Sequence, residues 1–374
     1  MTSSGEDTSP LIEVIVPVHT TARPIARAVG SVLAADSARI HVTVVCHGLD
    51  PELIAEQLGQ AAADPRVRLV PLTDGVPSPA GPLNEGVRVS TGAYLTFLGS
   101  DDAFTEGALT AWEAELADAP DILIGQLVTE TGGRILAPTP RVGRFRGLNA
   151  SRDLLNYRSA PVAALVARHL LVGDASPRFL TGARTGEDLG LGLVLWNTAQ
   201  TIQYSRCSLG YFGYETGGDR VTHVRLPPHE VQAPVRDAVH LPELNALPKR
   251  KRQAIAVKLL RHQVLYWLQA MDRQGTLDAQ TLAEAAKTVT MLREFAPGTQ
   301  GFFHRFDAAA LTAIERRNLE DFRAEVRRGD ATAFRWKAVP KNPLRVFAPE
   351  NAAIRIRRMR AIPATLADPT PQEG

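Results

Sequence analysis

Two pairs of adjacent acids are the residues whose types and spacing suit chemistry. Asp101 and Asp102 close a run of strand formers, Ala93 to Leu98, and Glu187 and Asp188 stand just ahead of an apolar stretch, Leu189 to Trp196. In an open α/β sheet, ligands bind outside the carboxyl ends of the strands. Acids placed there are positioned to hold a divalent metal that carries phosphates. The same Ser-Asp-Asp run is also ordinary turn and N-cap chemistry. The second pair reads two ways as well. A carboxylate fixed at a helix end serves as a general base toward a hydroxyl nucleophile, an effect typically worth ~10²- to 10⁴-fold in rate. Adjacent acids at a helix N-terminus equally favour the macrodipole.

The elements that must position these acids follow a regular plan. Residues 11–18, LIEVIVPV, are a short β-branched run halted at Pro17 and followed by His19-Thr20-Thr21. They predict a buried strand entering a helix that ends near Ala35. Ile40 to Cys46 predicts a second strand, closed by His47-Gly48, with a helix from Pro51. Val67 to Leu72 is a third. From Gly81 a helical pattern turns Leu83 and Val87 toward a core, and Thr91-Gly92 separates it from the strand that ends at the first acid pair. A helix over Glu106–Leu116 and a strand over Asp121–Val128 extend the series. Strand and helix alternating in this way predict an α/β, doubly wound, mostly parallel sheet. The chain lacks G-x-G-x-x-G after its first strand, a glycine-rich loop ending in Lys-Ser or Lys-Thr, G-x-S-x-G, H-E-x-x-H and Cys-x-x-Cys. Their absence removes the commonest rivals on such a sheet.

At 374 residues, 44% of them hydrophobic, the chain accommodates one large domain and a smaller one. With 42 basic and 40 acidic residues nothing global demands nucleic acid, and none is expected as a partner. Two cysteines, Cys46 and Cys207, form no disulfide framework, so a reducing cytoplasm is the expected compartment. MTSSGEDTSP reads as a disordered tail over residues 1–10, and no apolar run reaches the ~18 residues of a membrane span. The α/β domain is expected over 11–223, a Pro-rich linker over 224–248, a helical domain over 249–362 and a second tail over 363–374. Within the helical domain Val257, Leu260, Val264, Trp267 or Leu268, and Met271 recur at helical spacing, and further helices are expected near 276–295 and 307–328. Lys249-Arg250-Lys251-Arg252 and Arg355, Arg357, Arg358 and Arg360 form basic segments. They suit peripheral contact with an anionic membrane face or an acidic polymer acceptor; a solvated helical face and a homo-oligomer contact are the alternatives.

The order of these features resembles the GT-A-fold, family-2 inverting glycosyltransferases. The resemblance is carried by Val14-Ile15-Val16-Pro17-Val18, Val44-Val45 with Gly48, Asn84 with Gly86, Gly92-Ala93-Tyr94-Leu95 through Phe97-Leu98, Ser100-Asp101-Asp102, and Gly186-Glu187-Asp188. It covers about residues 11 to 215 and implies a GT-A, Rossmann-like catalytic domain ahead of a smaller α-helical C-terminal domain. It also implies a nucleotide-sugar donor over the strand ends, a Mn²⁺ or Mg²⁺ ion against the diphosphate, and attack by a glycan or small-molecule hydroxyl with inversion. By the resemblance Pro17, Val18 and His19 line the nucleobase pocket, with Asn84 and Ser100 also on the donor side. Asp101 binds the metal with Asp102 beside it, and Asp188 is the base with Glu187 orienting or capping. In the Gly217-Gly218-Asp219-Arg220-Val221-Thr222-His223 segment, Arg220 and His223 are placed to reach the diphosphate or the metal.

Three positions depart from the family pattern. Cys46-His47-Gly48 lacks the usual acids, leaving His47 to accept or donate toward the base; Leu83 stands where an arginine usually precedes Asn84; and Gly99 replaces the first acid of the aspartate-x-aspartate signature. They imply an unusual donor base, altered metal dependence or a weakened enzyme. The expectation is a cytoplasmic, bacterial-type transferase, at or near the inner membrane face, that builds polysaccharide, wall polymer or a glycosylated product. A catalytically silent GT-A module acting as a scaffold is the alternative.

Overall fold

The computed structural model describes residues 10–130, 141, 144–158, 161–173, 176–214, 226–333 and 339–360. Its first half alternates β1 (Ile12–Val18), α1 (Ile25–Leu33), β2 (Ile40–His47), α2 (Pro51–Leu58), β3 (Val67–Leu72), α3 (Ala80–Val89) and β4 (Tyr94–Phe97). There follow β5 (Ala103–Phe104), α4 (Ala108–Ala114), β6 (Ile122–Ile124), β7 (Gln126–Thr129), β8 (Ala164–Ala167), α5 (Leu189–Thr198), β9 (Ile202–Tyr204) and β10 (Gly210–Gly213).

The main sheet has the order β3-β2-β1-β4-β8-β6-β9. β1 runs parallel to both β2 and β4, and β8 is antiparallel to its neighbours β4 and β6. The mostly parallel α/β expectation holds. Every residue of β1 except Pro17 is buried, because helices cover both faces of the sheet. Val14, Val16 and Val18 point into a core with α1 and α4, whereas Ile15 points into one with α3 and α5. α3 lies so close to β1 that a Cβ at Gly86 would come 2.3 Å from the Ile15 side chain, which accounts for glycine there.

The strand expected over Asp121–Val128 divides at Gly125 into β6 and β7, which belong to different sheets. The Trp112 ring occupies the place where a Gly125 side chain would stand. β7 joins β10 and β5 in a three-stranded sheet beside the acid pair. A charge lies within β1: Glu13, 2% exposed, accepts from Thr43 Oγ1 at 2.6 Å, Arg68 Nη2 at 2.6 Å and the amides of Thr91 and Gly92 at 2.7 and 2.9 Å. A buried carboxylate is stable only when its lone pairs are met in this way.

The second half is helical: α6 (Pro228–His240), α7 (Pro242–Asn245), α8 (Lys249–Leu259), a π-helical stretch Leu260–Tyr266, α9 (Trp267–Arg273), α10 (Ala279–Phe295), α11 (Arg305–Glu315), α12 (Leu319–Ala331) and α13 (Ala352–Arg360). The expected linker is thus largely helix. Pro228 and Pro242 occupy first helical positions, where no amide partner is needed, and only Pro234 interrupts a helix interior. The helix expected over 307–328 is two, divided where Arg317 takes a positive φ of 55° and Asn318 caps α12 through Asp321 N at 3.0 Å.

α5 has no polar side. Leu191, Leu195 and Trp196 enter the sheet core, while Leu189, Leu193 and Val194 enter the core of the helical region. Several members of the basic segments join the two halves. Lys251 Nζ donates to Asn197 O at 2.7 Å, Arg358 Nη1 donates to Arg152 O at 2.7 Å, and Arg355 stacks 4.5 Å from the Tyr157 ring centre. Among the described residues no helix is long and apolar enough to cross a membrane.

Candidate active site

The parallel order β2-β1-β4 sets three strand ends side by side: His47 after Cys46, His19 after Val18, and Gly99 to Asp102 beyond Phe97. Pro17, half-buried, and Val18, fully buried, pair with Val45 and Cys46 at this edge, while His19 is exposed. Ser100 is buried. These expected donor residues therefore share one edge of the sheet.

The carboxylate missing from the end of β2 arrives from elsewhere. Asp74, in the segment between β3 and α3, lies 2.7 Å from His47 Nε2. The Val76 amide, followed by His47, holds the Asp74 carboxyl below its ordinary range.

At the end of β4 the two neighbouring acids face different partners. Arg23, in the turn after β1, forms an ion pair with the Asp101 carboxylate, and Arg27 Nη2 donates to the Asp101 carbonyl. The Arg27 guanidinium also lies 3.6 Å from the Tyr214 ring centre, and its buried Nε finds no acceptor among the described residues. Asp102 accepts from the Tyr211 hydroxyl and, at 3.0 Å, from the Tyr214 amide. The same hydroxyl accepts from Gly99 N at 3.1 Å. Burial, then the Asp102 charge, drive the Tyr211 phenol far above its ordinary range. Asp102 thus ties β10 to the end of β4, and Asp101 carries the carboxylate beside the arginines.

A hard divalent ion in a phosphate site often takes one or two carboxylates and completes its shell with substrate oxygens and water. Asp101 has the chemistry of such a ligand, in competition with Arg23, whereas both oxygens of Asp102 already accept hydrogen bonds. No group of three His, Cys, Asp or Glu side chains with metal-holding geometry forms among the described residues. Arg220 and His223, expected at the diphosphate and metal, lie outside the described residues.

The second acid pair is fixed by a loop latched at two points. Asn84 Nδ2 donates to Phe179 O at 2.9 Å while its Oδ1 accepts from Phe179 N at 3.0 Å, and Ser78 Oγ donates to Ala183 O at 2.6 Å. Asn84 is expected at the donor; its amide in this structure fastens α3 to the segment leading to Glu187. Gly186 takes a φ of 73°, and a Cβ there would meet Pro234 of α6 at 3.3 Å. Asp188 is the N-cap residue of α5, yet its side chain makes no capping hydrogen bond. Burial raises the Asp188 carboxyl above its usual range, and the positive charge of Lys258, 2% exposed on α8, opposes that rise. Burial and the Asp188 charge push Glu187 up to about 7. Lys258 is itself lowered by burial to about 8.

Sequence reasoning missed Arg23, Arg27, Tyr211, Tyr214, Asp74 and Lys258. Lys258 carried a readable signal, since it interrupts Ile255-Ala256-Val257 and Leu259-Leu260 on a helix. Arg23 and Arg27 reach Asp101 from the β1 turn and α1, Tyr211 and Tyr214 reach Asp102 from β10 and its end, and Asp74 reaches His47 from the β3–α3 segment.

The model of the family described as "Glycosyl transferase family 2" matches residues 13–167. Among solved structures, the chain is similar to S. aureus TarS 1-349 in complex with UDP-GlcNAc, at 17% identity and a TM-score of 0.71, over 85% of this chain and 92% of that one. It is also similar to S. aureus TarS 1-349 alone, at 17% identity and a TM-score of 0.69, over 85% and 91% of the two chains. Against the longer S. aureus TarS chain the TM-score is 0.68 at 16% identity, over 84% of this chain and 54% of that one. At these identities the structural likeness speaks for the shared fold. Comparison with curated proteins found no match.

Proposed function

We propose, for a chain that is a GT-A-fold glycosyltransferase of family 2 by its match over residues 13–167, that it moves a sugar from a nucleoside-diphosphate donor to an acceptor hydroxyl with inversion, Asp188 serving as general base. One observation carries the assignment. Asp188 stands at the N-terminus of α5 without making the capping bond that would explain it structurally, in surroundings that raise its proton affinity. A carboxylate so placed takes the proton from an attacking hydroxyl while the carbon–oxygen bond forms on the face opposite the leaving diphosphate. Glu187, protonated below about pH 7, adds no second negative charge beside it under mildly acidic conditions.

The donor lies over the ends of β2, β1 and β4. His47, oriented by Asp74, and the Pro17–His19 turn meet the nucleobase. The solved S. aureus relative holding UDP-GlcNAc supports a uridine nucleotide as the first donor to try. Arg23 and Arg27 stand where the diphosphate charge accumulates as the sugar leaves. A Mg²⁺ or Mn²⁺ ion held by Asp101 and the diphosphate would act as a Lewis acid toward the leaving group.

Calorimetric titration of UDP-, GDP-, dTDP- and CDP-linked sugars, with and without Mn²⁺, tests the donor site before an acceptor is known. Saturable binding of one nucleotide class, retained in Asp188→Asn, supports the proposal. Binding of none in either condition refutes the donor site. Once an acceptor is found, near-normal turnover by Asp188→Asn would overturn the base assignment.

A further inference from the structure

The helical region contains a cavity of about 360 Å³, within the ~300–1,000 Å³ range of small-molecule sites, that the transfer chemistry does not use. Its walls differ in charge. One is built from the π-helical stretch and α13, and supplies Arg261 and Arg355. The other is built from α11 and α12, and supplies Asp307, Glu325 and Asp330.

The basic wall is unusual in its burial. Arg261 is only 7% exposed and is held through Nη1, which donates to Tyr157 Oη at 2.6 Å and to Glu350 O at 3.1 Å. Arg355 stacks on the same tyrosine. Among the described residues, neither guanidinium has a carboxylate within ion-pair distance. The Asp307 and Glu350 carboxylates bear on the Arg261 charge without contacting it, so an anion bound in the cavity would make the direct charge-assisted contact that they do not. The opposite wall is matched differently. Asp307 pairs with His304 at 3.0 Å and Glu325 pairs with Arg328, whereas Asp330 makes no ion pair among the described residues. Carboxylates in this setting accept hydrogen bonds from hydroxyls. Tyr266, 45% exposed at the end of the π-helical stretch, offers a ring face to an apolar ligand surface. π-Helical segments frequently occur at functional sites, and this one carries both Arg261 and Tyr266.

We propose that this cavity binds a single glycosyl unit bearing an anionic group, a sugar phosphate or sugar acid. Its anion lies on Arg261 and Arg355, its hydroxyls face Asp330 and Asp307, and its C–H face lies on Tyr266. The site is independent of the donor site and does not rest on the assignment of Asp188.

Calorimetry on the full chain with glucose 6-phosphate, glucuronic acid and a galacturonic acid trimer tests it, with glucose and inorganic phosphate as controls. The trimer separates binding of a chain end from binding of a free monomer. At least one anionic sugar should bind about tenfold or more tighter than either control. Arg355→Gln and Asp330→Asn should each weaken that binding about tenfold while keeping the parent's circular dichroism spectrum, and Asp188→Asn should leave it unchanged. Absence of saturable binding by all three anionic sugars at millimolar concentration would overturn the proposal. So would binding that both cavity variants retain in full.

Discussion

Replacing Glu187 with glutamine isolates the electrostatics of the second acid pair. In the folded chain burial and the neighbouring Asp188 charge push Glu187 from an ordinary 4.5 up to about 7. Between those values the folded protein keeps a proton that the unfolded chain has released, so stability falls with rising pH across that window. The loss is complete above about pH 7. A rise of that size corresponds to roughly 3 kcal/mol. Glutamine has the same shape and does not titrate. Glu187→Gln should therefore match the parent near pH 4 and exceed its unfolding free energy by roughly 3 kcal/mol near pH 8. With a urea dependence of about 3 kcal/mol/M, the midpoints would separate by ~1 M at the higher pH. Urea unfolding followed by circular dichroism at both pH values is the assay. An equal midpoint difference at the two pH values would show that Glu187 does not titrate in the way its surroundings require, and the reasoning about this acid pair would fail with it.

Asp188→Asn should reduce transfer by at least ~10²-fold while donor affinity, measured by calorimetry, stays within about twofold of the parent. Arg23→Gln releases the Asp101 carboxylate from its ion pair, so Mn²⁺ titrated without nucleotide, where the diphosphate contact of Arg23 plays no part, should bind up to about fivefold tighter. Unchanged Mn²⁺ affinity would remove Asp101 as the metal ligand or Arg23 as its competitor. Tyr211→Phe takes from Asp102 its hydroxyl donor and from Gly99 its acceptor, and should cost ~1–3 kcal/mol of stability by thermal unfolding.

The catalytic half was legible because its signals are local. β-Branched runs, the glycine at position 86 and the acids at strand and helix ends each record a constraint within a few residues of themselves. The partners of those acids were not legible, because they arrive through topology. Asp74 supplies a carboxylate at the end of β2 from the segment after β3, and Tyr211 reaches Asp102 only through a second sheet that begins past Gly125, where the Trp112 ring leaves no room for a side chain. The proline-rich stretch misled for a different reason. Proline tolerates the first turn of a helix, so Pro228 and Pro242 mark helix starts where a breaker was read. The basic segments show the same limit: sequence gives their charge, and only packing shows that Lys251, Arg355 and Arg358 contact the α/β half.

α5 makes the proposed base and the helical region thermodynamically inseparable. Leu189, Leu193 and Val194 lie one to six positions from Asp188 and are covered by the helical core. At ~1.5–3 kcal/mol for each buried side chain, their exposure would cost roughly 6 kcal/mol. Removal or melting of the C-terminal helices would therefore disable turnover while much of the nucleotide-facing sheet still stood. Loss of activity on heating should therefore coincide with loss of the helical core.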